Sequence, residues 1–206
     1  MATLSVTPTQ DVFISSALST TNWDTLTHVV GSVGPKIVDH TRTLMDFDIT
    51  AITAGSTIDA VTCNLEIIGV SAGSPFTWAC RRVRRSDWAE AQATWDIYKT
   101  ANNWGTAGAS NTTTDVDTTF AFTFTGPSAA GSFDIPDSAG FRAFVQDALD
   151  NFSGIVRMLL KHNTEPGTDD QGVGFYDSED GTAGNRPSLN ITYTAPGGAP
   201  RRVFVM

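Results

Sequence analysis

The stretch Ser86–Ala107 reads SDWAEAQATWDIYKTANNWGTA and decides the fold of this chain more than any other stretch. Three of the five tryptophans lie in this tryptophan segment at near-even spacing, at Trp88, Trp95 and Trp104, with acidic and small residues between them. Few folds place so many large aromatic side chains in one long connection. The rings either anchor the loop against a β-sandwich or form a platform for sugars, since sugar CH groups pack against the face of an indole.

Patterns of short strands lie on both sides of the tryptophan segment. The cleanest is Val61–Ile67, where apolar and polar residues alternate as in a strand with one buried face. One helix is predicted at Ala139–Asp150, where apolar residues recur at helical spacing after a capping residue, Asp137 or Ser138. Further strands are predicted at Val12–Ile14, Thr27–Val33, Arg42–Ile49, Phe76–Val83, Thr118–Thr125, Ser132–Ile135, Ile155–Lys161, Val173–Tyr176 and Ser188–Thr194. This pattern predicts an all-β fold, an antiparallel two-sheet jelly-roll β-sandwich with one helix.

The length of 206 residues suits one large all-β domain. We predict an N-terminal arm over residues 1–10, the sandwich over 11–194, and a Pro/Gly-rich linker with an apolar tail over 195–206. The opening MATLSVTPTQ has neither the basic nor the apolar region of a signal peptide, and no run approaches the length of a membrane span. Synthesis and folding in the cytoplasm are therefore expected.

The charge and the scattered histidines argue against several classes of function. The chain carries 22 acidic and 13 basic residues, a net charge of −9, whereas a general nucleic-acid-binding protein needs a positive surface. His28, His40 and His162 are far apart in the sequence, and no G-x-S-x-G motif of a serine hydrolase occurs. We therefore predict a protein that is not an enzyme and that binds neither nucleic acid nor a membrane.

The two cysteines, Cys63 and Cys80, lie on either side of a turn predicted near Ser71–Gly73. A simple hairpin over residues 60–83 places them opposite each other, a geometry that allows a disulfide. A reducing compartment favours two buried free thiols instead. No Cys/His cluster with the spacing of a zinc site accompanies them.

Four segments, in this order, resemble a known family. They are RTLMDFDI and ITAGSTIDAVTCNL within Arg42–Leu65, RRVRRSDWAEAQATW at Arg81–Trp95, a helix leading into Ile155–Lys161, and FYDSED with NRPSLNITY within Phe175–Tyr193. Their order and spacing are similar to those of the DNRLRE domain, a carbohydrate-binding-module-like β-sandwich of bacterial surface proteins and phage proteins. The resemblance covers roughly Asp11–Thr194. It implies a sandwich in which Trp88 and Trp95, which belong to the motif, hold the loop in place.

Two groups of residues are candidate ligand sites. Trp104 lies outside the family motif beside two amides, Asn102 and Asn103, and is the candidate ring for sugar stacking. The loops Glu165–Gln171 and Asp177–Gly181 offer oxygen ligands for a structural calcium ion, and solvated loop charge is their alternative. The candidate calcium ligands are Asp169, Asp170, Asp177 and Glu179.

Two further segments are candidate contacts with a protein partner. Arg81–Arg85 reads RRVRR in an acidic chain, so that Arg81 and Arg82 can dock an acidic partner, unless the strand pairs with local acids. The C-terminal tail either is a frayed end or adds as a strand to a neighbouring subunit. Its candidate contact residues are Arg201, Arg202, Val203, Phe204 and Val205.

Two hypotheses of function follow. The first is a non-catalytic structural protein of a phage particle, a capsid decoration or cement protein or an adhesive appendage. Its partners are other virion proteins, and its location is the virion, assembled in the host cytoplasm. This hypothesis depends on the missing signal peptide, the bare single module and the terminal arms. The second is a free carbohydrate-binding module that binds surface glycans outside the cell or on its surface.

Overall fold

The secondary structure consists mainly of short strands. The structure is a computed structural model that describes residues 1–24, 27–32, 39–165 and 170–197, without the side chains of residues 29–32. Within these residues the chain forms thirteen strands and one α-helix, α1 (Ala139–Asn151). The strands are β1 (Ala2–Val6), β2 (Gln10–Ser15), β3 (His28–Ser32), β4 (His40–Asp48), β5 (Thr57–Val70), β6 (Thr77–Val83), β7 (Ile97–Lys99), β8 (Asn102–Asn103), β9 (Val116–Thr125), β10 (Gly131–Ile135), β11 (Ile155–His162), β12 (Gln171–Phe175) and β13 (Ser188–Thr194).

The strands pair antiparallel in two layers. One layer contains β1, β13, β5, β10 and β12, and the other contains β2, β4, β11, β6 and β9. Strand β3 pairs with β12 on one side and with β4 on the other, so that it joins the layers. Strands β7 and β8 form a separate ribbon inside the tryptophan segment. The structure confirms the predicted all-β, antiparallel two-sheet sandwich, with one α-helix and a single 3-10 turn, Ala183–Asn185, among the described residues.

The main core lies between the two layers, and α1 packs against it. The helix begins where predicted, because the Ser138 side chain accepts a hydrogen bond of 3.1 Å from the backbone N–H of Phe141. Its apolar stripe is buried and belongs to the main core, as the helical spacing predicts; the stripe consists of Phe141, Phe144, Val145, Ala148 and Leu149.

A second core lies on the opposite face of the β4 layer, under the tryptophan segment. Leu44 of β4 and Leu159 of β11 are paired in register and point into this second core. Their neighbours Met45 and Met158 point into the main core. Because both faces of these central strands are covered, their sequences lack the clean alternation of a half-exposed strand.

The first residues are part of the sandwich. The predicted arm over residues 1–10 contains β1, which forms an edge of the first layer by pairing with β13 from Ala2↔Tyr193 to Val6↔Leu189. Leu4 and Val6 pack against the main core. The strand is short and mostly exposed, so its sequence pattern is weak.

Strands β5 and β6 do not form the simple hairpin that would place Cys63 and Cys80 opposite each other. Strand β5 pairs with β13, β12 and β10, whereas β6 pairs with β11 and β9 in the other layer. The chain therefore crosses between the layers after Val70, and the apolar faces of the two strands meet across the core instead of edge to edge. Cys63 and Cys80 are both buried in that core as free thiols. Burial raises the pKa of Cys63 to about 12 and also raises that of Cys80.

We expect neither thiol to react with a soluble disulfide reagent in the native protein, because a thiol buried in an apolar core is neither accessible nor ionised. After unfolding in denaturant without a reductant, two thiols per chain should react. Titration with 5,5′-dithiobis(2-nitrobenzoic acid) before and after unfolding measures both numbers. Fewer than two reactive thiols in the unfolded chain would show that Cys63 and Cys80 are bonded.

Candidate functional site

The rings of the tryptophan segment close it against the sandwich. Trp88 is 3% exposed, and its Nε1 donates a hydrogen bond to Asp46 Oδ1 at 3.1 Å. Trp104 is 4% exposed, and its Nε1 donates to the carbonyl oxygen of Thr94 at 2.9 Å. Tyr98 packs beside Trp104, with the ring centroids 5.5 Å apart. Both indoles therefore belong to the second core.

The burial of Trp104 corrects the prediction that this ring is the exposed platform for a sugar. Asn102 is half-buried, and its Nδ2 donates to the carbonyl oxygen of Thr100 at 2.8 Å. Asn103 is exposed and pairs with Ile97 in the β7–β8 ribbon. The two amides thus border a turn whose aromatic ring points inward. The sequence could not reveal this, because the same spacing suits a ring on either side of a turn.

Trp95 is held between charged and backbone groups. The guanidinium carbon of Arg42 lies 4.7 Å from its ring centroid, and a Cβ on Gly108 would lie 2.6 Å from its Cζ2. Gly108 has φ +76°, a conformation that favours glycine. Arg42 forms an ion pair with Glu165. Glu165 also forms an ion pair with Lys161, whose Nζ lies 2.8 Å from Oε2. Trp95 is therefore an anchor above a buried ion network, in agreement with its place in the family motif.

Trp23 lies in the loop between β2 and β3, and no motif in the sequence singles it out. Its ring stacks on Phe13, with the centroids 5.1 Å apart and the planes at 16°. The residue is half-buried, so part of its surface remains in contact with solvent. The signal that points to it is the tripeptide Asn22-Trp23-Asp24, an indole between an amide and a carboxylate, which are side chains that bond sugar hydroxyls.

Three carboxylates from distant parts of the chain meet near this loop. Asp11 on β2, Glu90 in the tryptophan segment and Glu179 between β12 and β13 form an acidic cluster. Each offers an oxygen that lies within 4.8 Å of the other two. Asn22 Nδ2 donates to the carbonyl oxygen of Glu90 at 2.7 Å. The loop that carries Trp23 is therefore tied to the acidic cluster.

Burial and like charges perturb the acidic cluster. Burial raises the pKa of Glu90 to about 7, although the backbone N–H of Asp11 donates a 2.6 Å hydrogen bond to this carboxylate. Burial also raises the pKa values of Asp24 and Glu179, and the charge of Asp177 adds to both rises. Among the ion pairs of the described residues, none joins a lysine or arginine to any of five carboxylates: Asp11, Asp24, Glu90, Asp177 and Glu179.

The structure brings two of the four predicted calcium ligands to this place. Glu179 belongs to the acidic cluster, and the charge of Asp177 acts on it. Asp170 lies elsewhere, where its carbonyl oxygen accepts a 2.6 Å hydrogen bond from Ser71 Oγ. Asp169 lies outside the described residues. The other members of the acidic cluster come from β2 and the tryptophan segment, which no spacing in the sequence connects to these loops.

Of the two predicted partner contacts on β6, Arg82 is held within the domain. Arg82 is 2% exposed, pairs with Asp147, and lies with its guanidinium carbon 4.3 Å from the ring centroid of Phe152. Its burial corrects the prediction that Arg82 contacts a partner. Arg81 is half-buried on the same strand. The predicted contacts of the tail lie outside the described residues; they are Arg201, Arg202, Val203, Phe204 and Val205.

A groove of about 380 Å³ crosses β1, β13 and β5. Hydroxyl and amide side chains dominate its polar lining: Thr3, Ser5, Thr62, Asn190 and Thr192. Aliphatic residues complete it. The groove offers hydrogen bonds to a ligand, but its lining supplies no ring for stacking.

Comparison with known proteins gives one match. Residues 2–123 match the model of carbohydrate-binding module family 96. The matched stretch runs from β1 into β9 and contains Trp23, the tryptophan segment and two members of the acidic cluster. No curated protein matches the chain. Among the described residues, no helix is long and apolar enough to cross a membrane.

We expect Trp88→Phe to lower the free energy of unfolding by about 1–3 kcal/mol, because the substitution removes the hydrogen-bond donor to Asp46 and leaves a buried carboxylate oxygen unsatisfied. Trp23→Phe is the matched control, since the Nε1 of Trp23 is buried without a hydrogen bond. It should cost less than Trp88→Phe. Urea unfolding followed by circular dichroism measures both free energies. Equal losses would contradict the role of the Trp88 hydrogen bond.

The same pair gives a pH dependence. Burial raises the pKa of Asp46 to about 6 from 3.8, and the hydrogen bonds from Gln10 and Trp88 oppose this rise. The folded state therefore binds the proton more tightly than the unfolded state, so this group's contribution to stability falls as the pH rises from about 4 to 6. Without the Trp88 donor the pKa of Asp46 should be higher still, so the contribution of Asp46 to stability should continue to fall at higher pH. The destabilisation by Trp88→Phe should thus be larger at pH 8 than at pH 5, and a pH-independent difference would contradict this account.

Proposed function

The chain belongs to carbohydrate-binding module family 96, and on that premise we propose that it is a non-catalytic domain that binds a carbohydrate. The family match over residues 2–123 is the observation that carries this proposal, because it spans more than half of the 206 residues. A function in binding agrees with the presence of a half-buried aromatic ring, Trp23, between an amide and a carboxylate in the chain.

The site that the geometry supports best is the surface around Trp23. A sugar ring needs an aromatic face that solvent can reach, and both Trp88 and Trp104 are buried. Trp23 keeps part of its surface exposed while Phe13 supports its ring from one side. Because the Trp23 ring is already stacked in the free protein, binding a ligand loses little further side-chain entropy at this residue.

The groups beside Trp23 suit the polar part of a sugar. Carboxylates accept hydrogen bonds from sugar hydroxyls, and Asp24 follows the ring directly in the chain. The charges of Asp11 and Asp177 act on Asp24, so more than one carboxylate lies near this surface. We therefore assign the stacking contact to Trp23 and the hydroxyl contacts to the adjacent acidic side chains.

Binding of the purified chain to an array of neutral and acidic glycans tests this function. We expect at least one glycan to bind and Trp23→Ala to weaken its binding about tenfold or more, since the loss of a stacked ring removes one to a few kcal/mol. Isothermal titration with that glycan gives the affinities. Thermal unfolding of Trp23→Ala confirms that the variant is folded under the conditions of the assay.

The groove across β1, β13 and β5 supplies the matched control. Asn190→Ala and Thr62→Ala remove polar side chains from its lining and leave the Trp23 surface intact. Both variants should bind the glycan like the wild type. If they lose binding while Trp23→Ala retains it, the groove is the binding site. If no glycan on the array binds, carbohydrate binding by this chain is refuted.

The phage structural protein stays a prediction, since the fold and the family match bear on carbohydrate binding alone. The two functions are compatible, because a particle protein that binds glycans would hold virions near a cell surface. Mass spectrometry of purified particles checks the prediction. If the prediction is right, this chain is present at a copy number that matches the symmetry of the capsid. The absence of the chain from purified particles would refute the prediction.

A further inference from the structure

We propose that Asp11, Glu90 and Glu179 bind a divalent cation, and that calcium is the ion that fits. The three carboxylates come from β2, from the tryptophan segment and from the loop before β13, yet each offers an oxygen within 4.8 Å of the other two. Two oxygens on opposite sides of a calcium ion are about 4.8 Å apart at a bond length of about 2.4 Å. The three oxygens are therefore close enough to one another to bind the same ion.

The hydrogen bonds around the acidic cluster leave at least one carboxylate oxygen without a donor, although the backbone N–H of Ser178 donates to Asp11 Oδ2 at 3.1 Å. Ser178 Oγ lies 3.0 Å from Asp11 Oδ1 and 2.8 Å from Glu179 Oε1. A hydroxyl has one proton and can donate to only one of these oxygens at a time. The other oxygen faces a lone pair, which is unfavourable unless a positive charge lies between them. A cation at this point would satisfy both carboxylates.

His28 is a second and independent observation that points to a ligand. Its side chain is fully buried, and neither ring nitrogen makes a hydrogen bond. Its Nε2 lies 3.1 Å from Asp11 Oδ2, within ion-pair distance of that carboxylate, so the ring faces the acidic cluster on the Oδ2 side of Asp11. The edge of the ring packs against Phe175, 5.4 Å away between centroids. Groups that hold a metal-binding carboxylate from its far side occupy this position in metal sites.

The local charge favours the same conclusion. Asp24 and Asp177 add their charges to those of the acidic cluster. Like charges at these separations repel each other strongly in a partly buried site, where the effective dielectric constant is far below that of water. Within the described part of the chain, no lysine or arginine pairs with them, and the basic side chain that contacts the acidic cluster is His28, at Asp11. A bound divalent cation would offset the repulsion.

The donor set selects the kind of ion. Carboxylate oxygens are hard ligands, whereas zinc in proteins is held mostly by sulfur and nitrogen. Calcium accepts six to eight oxygens in irregular arrangements, and magnesium requires a tighter octahedron and keeps most of its waters. Three carboxylates held on three separate segments, with further carboxylates nearby, suit calcium. The bound ion would connect β2, the tryptophan segment and the loop before β13.

Thermal unfolding of the full chain, first treated with a chelator and then titrated with calcium chloride, tests the site. At about a hundredfold excess over the dissociation constant, calcium should raise Tm by roughly 5–10 °C. Magnesium at the same concentration should raise it less. Isothermal titration should give one calcium ion per chain. Both measurements are independent of glycan binding, so the cation site and the proposed function can each fail without the other.

The variants Glu179→Gln and Glu90→Gln remove one charged ligand each and should abolish the rise in Tm. Glu179→Gln is the safer of the two, because Glu179 is the exposed member of the cluster and its substitution leaves the buried Asp11 unchanged. Glu66→Gln on β5 removes a half-buried carboxylate outside the cluster and should respond to calcium like the wild type. A wild type that does not respond to millimolar calcium, or an equal response in Glu179→Gln, would overturn the proposal.

Discussion

The packing of the tryptophan segment on the outer face of β4 and β11 is the constraint on which the rest of the structure depends. Trp88 and Trp104 are buried there on Leu44 and Leu159, and the donor of Trp88 satisfies the buried carboxylate of Asp46. This contact covers the second face of the central strands, so the domain has two cores instead of one. A sandwich with an exposed β4 layer would leave these apolar side chains in water.

The same packing assembles the candidate site. Once the tryptophan segment lies on the sheet, Glu90 is placed against the backbone of Asp11, and its carbonyl oxygen accepts a hydrogen bond from Asn22. The loop of Trp23 and the acidic cluster are thus consequences of how one long connection is buried. Rings that look like a sugar platform in the sequence serve as the support, and the partly exposed ring lies on a neighbouring loop.

Much of the fold could be predicted from local patterns. The helix and the alternating strands β5 and β13 follow from periodicity. In a helix or a strand, the position of a residue within the repeat determines which face its side chain occupies. Whether β5 pairs with β6 could not be predicted from the sequence, since a short turn between two strands is compatible with a hairpin and with a crossing between layers. Of the candidate site, Glu179 was predicted as an ion ligand. Trp23 has only the weak local signal of the amide and carboxylate beside it, and Glu90 has none.

The sequence by itself determined the all-β class, the position of the helix and the membership of the tryptophan segment in a recognisable pattern. These follow from periodicity and composition, which are local properties of the chain. Only the tertiary structure decided which rings are buried and which carboxylates meet. Asp11, Glu90 and Glu179 are brought together by strand pairing and by the burial of the tryptophan segment, and contacts between residues this far apart in the chain depend on the packing of the whole domain.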